Sequence, residues 1–172
     1  MREDTIILFT GDNGTGGEGK NTATELGARV PFIVNCPGRV VATGESDALV
    51  DTSDVMPTLV ELANAKLPDR HPIDGVSFAP ILRGEKTETR EWIHSFLADK
   101  RILRTKRYLL ENNSTTNFGK LFDCGDSRDG NRYINVTNSD RLEVKRVKKK
   151  FKEILSKLPV PATALRKRKS AA

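Results

Sequence analysis

The chain has 172 residues, 37% hydrophobic and 30% charged, which suits one ordinary domain with a real core and is too short for two large ones. No apolar run approaches the roughly 18 residues that a membrane-spanning helix needs, so a membrane span is excluded. The net charge of +6 is uneven: from Arg141 onward twelve Lys and Arg face two Glu, a net +10, while residues 1–140 carry 17 against 21, a net −4. A basic end of this kind can attract a sulfated polyanion, with nucleic acid the less favoured partner; the plain alternative is a solvated helix face.

In chain order, Met1-Arg2-Glu3-Asp4 passes directly into an apolar run with no basic region, apolar stretch and cleavage site of an export signal. Residues 5–10 read as a buried strand that drops into Gly11-Asp12-Asn13-Gly14, and residues 30–35 as a second strand of the same largely buried sheet, despite Pro31. Pro37-Gly38 ends it in a turn. Residues 54–65 read as a helix capped by Ser53 or Asp54, with Pro57 in its first turn and Val55, Leu59, Leu62 and Ala63 on the face toward a core. A short helical turn through Phe78, Ile81 and Leu82 ends at Gly84.

Beyond Trp92 the texture changes to short strands at 92–97, 100–105, 107–111 and 120–123, a small antiparallel sheet. A final helix, capped near Asn138 or Ser139, repeats Leu142, Val144, Val147, Phe151, Ile154, Leu155 and Leu158 at helical spacing until Pro159. The expected organisation is an incomplete α/β sheet over 1–88, an antiparallel sheet with a helix over 89–158, and a disordered basic tail over 159–172. Two or three strands cannot be paired and covered on both faces by themselves, so the first part is expected to need sheet neighbours.

Asp12 and Asn13 follow a strand, where side-chain oxygens can converge on a hard cation; taken alone, Asp-Asn-Gly is a common turn. Gly14, Gly16, Gly17 and Gly19 let a backbone turn tightly and approach a ligand, and Lys20 ends that loop with a compact cation. Arg29 is expected to hold a carboxylate such as Glu25 or a loop carbonyl. Cys36 and Cys124 show no metal spacing and default to unpaired buried thiols, although a disulfide between them stays open. His71 reads as a surface residue and His94 as a core one. Asn13, Asn113 and Asn135 each begin an Asn-x-Thr or Asn-x-Ser/Thr acceptor pattern, which arises often by chance.

The ordered set Asp12-Asn13-Gly14, Lys20, Glu25-x-Gly27-x-Arg29-x-Pro31, Asp51 to Leu59, Asp74-Gly75-Val76-Ser77 and Leu121-Phe122-Asp123 resembles the C-terminal part of sulfatases of the alkaline-phosphatase-like superfamily. The resemblance covers residues 5–123. It departs at Leu26, where the family has glycine. It implies an alkaline-phosphatase-like α/β sheet followed by a small antiparallel α+β subdomain, and hydrolysis of an aryl or carbohydrate sulfate ester in the complete enzyme. It further implies that Asp12 and Asn13 ligate a divalent metal, usually Ca2+, and that Lys20 contacts the sulfate. The family's nucleophile motif, Cys/Ser-x-Pro/Ala-x-Arg, has no match at Cys36 or Cys124, so the expectation is a portion that is inactive by itself and needs a partner N-terminal half. Two alternatives stay open: a non-catalytic binder of sulfated polyanions, and a related phosphoester or phosphonate hydrolase.

Overall fold

The computed structural model describes residues 2–41, 44–128 and 130–160. Two compact units make up the chain: Met1–Asp12 with Val30–Ile93, and Asn13–Arg29 with His94–Ala172. The elements mix helices with antiparallel sheets.

In the first unit, β1 (Ile7–Thr10) pairs antiparallel with β2 (Phe32–Asn35), setting Leu8 opposite Val34 and Phe9 opposite Ile33. The two strands were expected to be largely buried, and here the structure differs: Phe9 is 58% and Ile33 57% exposed. The pair buries one face only. Phe32, on the alternate face, meets Phe78 edge-on at 5.6 Å between ring centroids, and a two-stranded ribbon supplies nothing for its other side.

α2 (Val55–Leu62) follows a 3-10 turn, Thr52–Asp54, that is closed by reciprocal capping: Asp51 accepts from the Ser53 N–H, and Asp54 accepts from the Asp51 N–H at 2.8 Å. The cap therefore lies two to three residues before the expected position. The buried side of α2 also differs from the apolar stripe. Thr58 and Pro57 are buried while Leu59 is 44% exposed. Polar bonds set that orientation: the Thr58 hydroxyl donates to the Asp54 carbonyl at 2.6 Å and accepts from the Phe78 N–H at 2.9 Å, while the fully buried Asp54 carboxylate takes the Val76 N–H and the Arg90 guanidinium. α3 (Ala79–Leu82) is the expected short turn, ended at Gly84 with φ +72°.

The second unit is built on a five-stranded antiparallel meander, which β3 (Trp92–Leu97) enters from His94 on, followed by β4 (Lys100–Thr105), β5 (Tyr108–Asn113), β6 (Lys120–Asp123) and β7 (Ile134–Asn135). The first four match the expected strands; the two-residue β7 was too short to read from alternation. Register aligns Leu103, Leu110 and Leu121 in one cross-strand row, each 0% exposed. That face takes α4 (Leu142–Lys157), whose Val144, Phe151 and Leu155 are buried, and which is tied down by Arg101 Nη1 donating to the Leu155 carbonyl and by the Tyr108 hydroxyl donating to Glu143. α4 begins at Leu142, later than the expected cap; Ser139 Oγ accepts the Arg141 N–H at 3.4 Å. The other face, with Ile102, Leu109 and Cys124, is covered by Ala23.

Both cysteines are free and buried, as the default predicted. Asn113 is also buried, its Nδ2 donating to the Asn117 and Phe118 carbonyls and its Oδ1 accepting from Arg101 Nε, so in the folded chain it is no acceptor for a glycan. Among the described residues no helix is long and apolar enough to cross a membrane. Of the basic tail expected over 159–172, residues 161–172 lie outside the described residues.

Candidate functional site

The loop after β1 is organised by its own backbone. Gly14 N–H donates to the Gly27 carbonyl at 3.0 Å, and Thr15 N–H to the Leu26 carbonyl at 3.1 Å, so the glycine-rich loop is laced to α1 (Glu25–Ala28). A Cβ on Gly14 would sit 1.8 Å from the Leu26 carbonyl oxygen, and one on Gly19 2.3 Å from the same atom. These two glycines serve a backbone-on-backbone crossing, whereas nothing lies within 4 Å of a Cβ built on Gly16 or Gly17. The tight turning expected of the glycines is thus met at Gly14 and Gly19 by this crossing, and Gly17 takes a φ of +77°. Leu26 is helical and 54% exposed, which explains the departure from the family's glycine: this position uses its carbonyl and has no need of a positive φ.

Lys20 is fixed at its backbone and free at its head. Its N–H donates to the Thr15 carbonyl at 2.7 Å, the next residue, Asn21, takes a left-handed φ of 64°, and Thr22 Oγ1 donates to the Gly19 carbonyl at 2.6 Å. The side chain is exposed and lines an open cleft of about 170 Å3, shared with half-buried Asn13 and with Thr22, Ser95 and Phe96. The structure thus brings Asn13 and Lys20 together on one loop. Asp12 is exposed and belongs to the first unit. The pair Asp12 and Asn13 fits a hard cation in the kind of atom it offers, oxygen, but falls short of the roughly six ligands that Ca2+ or Mg2+ takes. Among the described residues no group of three or more His, Cys, Asp or Glu is placed to hold a metal ion.

What holds the loop was not legible in the sequence. Glu25 Oε1 pairs with Arg104 Nε at 3.1 Å, and Glu25 Oε2 accepts the Tyr133 hydroxyl at 2.7 Å, with the Arg104 guanidinium 5.5 Å from the Tyr133 ring centroid. The Glu25 N–H donates to Glu111 Oε1 at 2.7 Å, and the Asn112 N–H to the Ala23 carbonyl at 3.0 Å. Arg104 and Glu25 are largely buried, their side chains 7% and 17% exposed. The reading of Arg29 is therefore overturned: Arg29 is exposed, only its backbone N–H reaches the Glu25 carbonyl, and the carboxylate belongs to Arg104 and Tyr133. No spacing rule finds partners 79 and 108 positions away; an Arg inside an apolar strand, buried at Arg104, was the one available signal.

Burial raises three groups here above their ordinary values. The Tyr133 hydroxyl is raised by burial and then by its bond to Glu25; Glu111 by burial, with the Glu25 amide opposing and the Glu25 carboxylate adding; Cys124 by burial. Cys124 thus stays a neutral core thiol. His94, expected in the core, is only half-buried and stacks on the 60% exposed Phe96 with centroids 6.2 Å apart, while His71 is exposed, as its surface reading has it.

Lys20 thus stands in the cleft beside the amides of Asn13 and Asn21 and the hydroxyls of Thr22 and Ser95. Residues 19–160 match the family of N-sulphoglucosamine sulphohydrolase, C-terminal, and the chain belongs to that sulfatase family. It is similar to the Ulvan-active sulfatase of Formosa agariphila, 29% identical over 106 residues, or 62% of this chain and 20% of that protein. It is also similar to Arylsulfatase G of Homo sapiens, 35% identical over 107 residues, 49% of this chain and 20% of that protein. Among solved structures, a protein in complex with its substrate D-glucosamine-2-N,6-O-disulfate matches with a TM-score of 0.64 at 20% identity, over 90% of this chain and 34% of that one. The chain spans about a fifth of the length of the curated relatives it matches. Lys20 lies inside the family match and Asp12 and Asn13 just before it.

Proposed function

We propose that this chain is the C-terminal portion of an alkaline-phosphatase-like sulfatase that hydrolyses sulfate esters, with Lys20 as the cation that holds the sulfate group. The observation that carries this reading is the shared cleft of Lys20 and Asn13 on a loop whose backbone is pinned on both sides of Lys20. A preplaced ammonium gains most when negative charge grows on the transferring group, because it need not reorganise as the reaction proceeds. Asp12 and Asn13 would supply two oxygen ligands to a divalent cation, Ca2+ by resemblance, which when bound would neutralise sulfate charge.

On this reading the nucleophile and the remaining carboxylates come from outside residues 1–172, and the chain by itself binds without turnover. Neither cysteine fills the gap: Cys36 Sγ donates to the Glu3 carbonyl at 3.3 Å, and the Cys124 thiol is held neutral by burial. The names of similar proteins point to both substrate classes, an Ulvan-active sulfatase and a glucosamine disulfate complex to a sulfated saccharide and Arylsulfatase G to an aryl sulfate.

The test is a two-dimensional amide spectrum of the chain titrated with glucosamine 6-sulfate. Saturable shifts should centre on residues 13–22 and vanish in Lys20→Met. Shifts confined to other residues, or unchanged by Lys20→Met, would overturn the assignment. A parallel titration with Ca2+ should move the Asp12 and Asn13 signals, and Asp12→Ala should abolish that response.

A further inference from the structure

α4 carries more charge than its place in the fold requires. Its sixteen residues include seven Lys and Arg and only two carboxylates, Glu143 and Glu153. Lys145, Lys148, Lys149 and Lys152 fall at i, i+3, i+4 and i+7, a single stripe about 10 Å long at 1.5 Å per residue. Two of these like charges stand four apart at Lys145 and Lys149 and two more at Lys148 and Lys152, an arrangement that weakens a helix where a Glu in either place would strengthen it. Compensation is slight: Lys145 reaches the 94% exposed Asp140 at 3.0 Å, and Lys149 reaches Glu153 only at 4.0 Å, its own side chain 82% exposed. Lys152 lies 5.6 Å from the centroid of the Phe118 ring.

We infer that the Lys145-Lys148-Lys149-Lys152 face of α4 is a binding surface for a linear sulfated polysaccharide, contacting sulfates of the chain outside the cleft of Lys20. The other polyanions fit less well. The helix's apolar side is already committed, Val144, Phe151 and Leu155 being buried, so no apolar face remains to enter a lipid surface. The helix's one aromatic, Phe151, is buried with them, and the half-buried Phe118 ring beside the stripe already carries Lys152 over it, so little free stacking area is offered to bases. All four cations of the stripe are lysines, point charges that accept repeating sulfates in many orientations, without the planar fork that reads base edges. The choice of a sulfated polymer rests on the sulfatase reading; the existence of the cationic surface does not.

The test uses the full chain and heparin as probe. Lys145→Gln, Lys148→Gln, Lys149→Gln and Lys152→Gln are combined in one variant, Gln being as good a helix former as Lys, and circular dichroism checks the fold. A control variant removes equal charge elsewhere, at Arg2, Lys66, Arg70 and Lys86, all exposed. A second control neutralises Arg166, Lys167, Arg168 and Lys169. The α4 variant is expected to lose at least tenfold in heparin affinity, with a log affinity against log salt slope shallower by about three to four, one counterion per contact. Both controls should stay within twofold or threefold of the parent. Equal losses in all three variants, or loss only in the 166–169 variant, would overturn the proposal. So would competition by DNA of matched charge as effective as that by heparin. Lys20→Met should lose less heparin affinity than the α4 variant; if it abolishes retention while the α4 variant does not, the cleft reading stands and this one falls.

Discussion

The β1–β2 ribbon and the β4–β5–β6 sheet are built from similar amino acids and reach opposite ends. Ile7-Leu8-Phe9 and Phe32-Ile33-Val34 are as apolar as Ile102-Leu103 and Leu109-Leu110, yet Phe9 and Ile33 are more than half exposed while Leu103 and Leu110 are fully buried. The difference lies in cover. In the second unit α4 closes one face of the sheet and Ala23 with its loop closes the other, whereas the ribbon has Phe78 against one face. Strand composition states a demand for burial, and only neighbouring elements satisfy it. The open face of the ribbon is an apolar patch suited to association with other polypeptide.

The largest contrast comes from truncating the two cores in turn. Leu103→Ala should cost about 2–5 kcal/mol in denaturant unfolding, as expected for a buried leucine that leaves a cavity. If it costs no more than a surface change, the second unit is not the closed core described. Next is Arg104→Met, which strands the Glu25 carboxylate in a largely buried site and should cost about 3 kcal/mol. Hydrogen exchange should quicken at the amides of residues 14–28 in that variant while those of β6 stay protected; uniform loss of protection would mean that the ion pair supports the whole unit and not the loop.

A smaller effect is expected from Asp123→Asn. The Asp123 carboxylate takes both Arg107 Nε at 2.9 Å and Nη2 at 3.0 Å, and these bonds hold it below its ordinary value of 3.8. A lowered folded value means that its stabilisation is full above about pH 4 and is lost as the pH falls through the folded value. With Arg107 52% exposed, the worth of the pair is only about 1 kcal/mol. The variant's deficit should therefore be present at pH 7 and shrink as the pH falls through the lowered folded value.

Glu111 has the opposite sign. Burial raises it, so its ionised form is the costly one, and its contribution is best below the ordinary glutamate range and declines as the pH rises through the raised folded value. Glu111→Gln keeps an oxygen for the Glu25 N–H and removes the repulsion with the Glu25 carboxylate. Its Tm should equal or slightly exceed the parent's at pH 7, with the advantage gone at pH 4, whereas Glu111→Ala should lower Tm at both. Smallest of all, Ile33→Thr should change stability by less than about 0.5 kcal/mol while slowing aggregation. A loss above 1 kcal/mol would show that the exposed face of the ribbon is covered in solution.

Elements whose signal is local were legible. β3, β4 and β6 carry dense β-branched or apolar runs, α4 a sustained helical period, and α3 a glycine stop, and each was readable within a residue or a few. α1 and β7 were missed because four and two residues are too few to show a period. Of the candidate site, Asn13 and Lys20 were legible as members of a strand-end loop, and the structure brings them to one cleft. The side of α2 that packs inward was misread because periodicity weighs Leu59 above Thr58, and the buried hydrogen bonds of Thr58 and Asp54 reverse that order.

By itself the sequence determined the family, the order of most elements and the chemistry offered after β1, since these depend on which residues follow one another within a few positions. Only the tertiary structure decided what Glu25 pairs with, why Gly14 and Gly19 must be glycine, and which apolar strands are covered. Those outcomes depend on atoms brought together from positions up to 108 residues apart, where a buried carboxylate is stable only beside whichever cation the fold delivers to it.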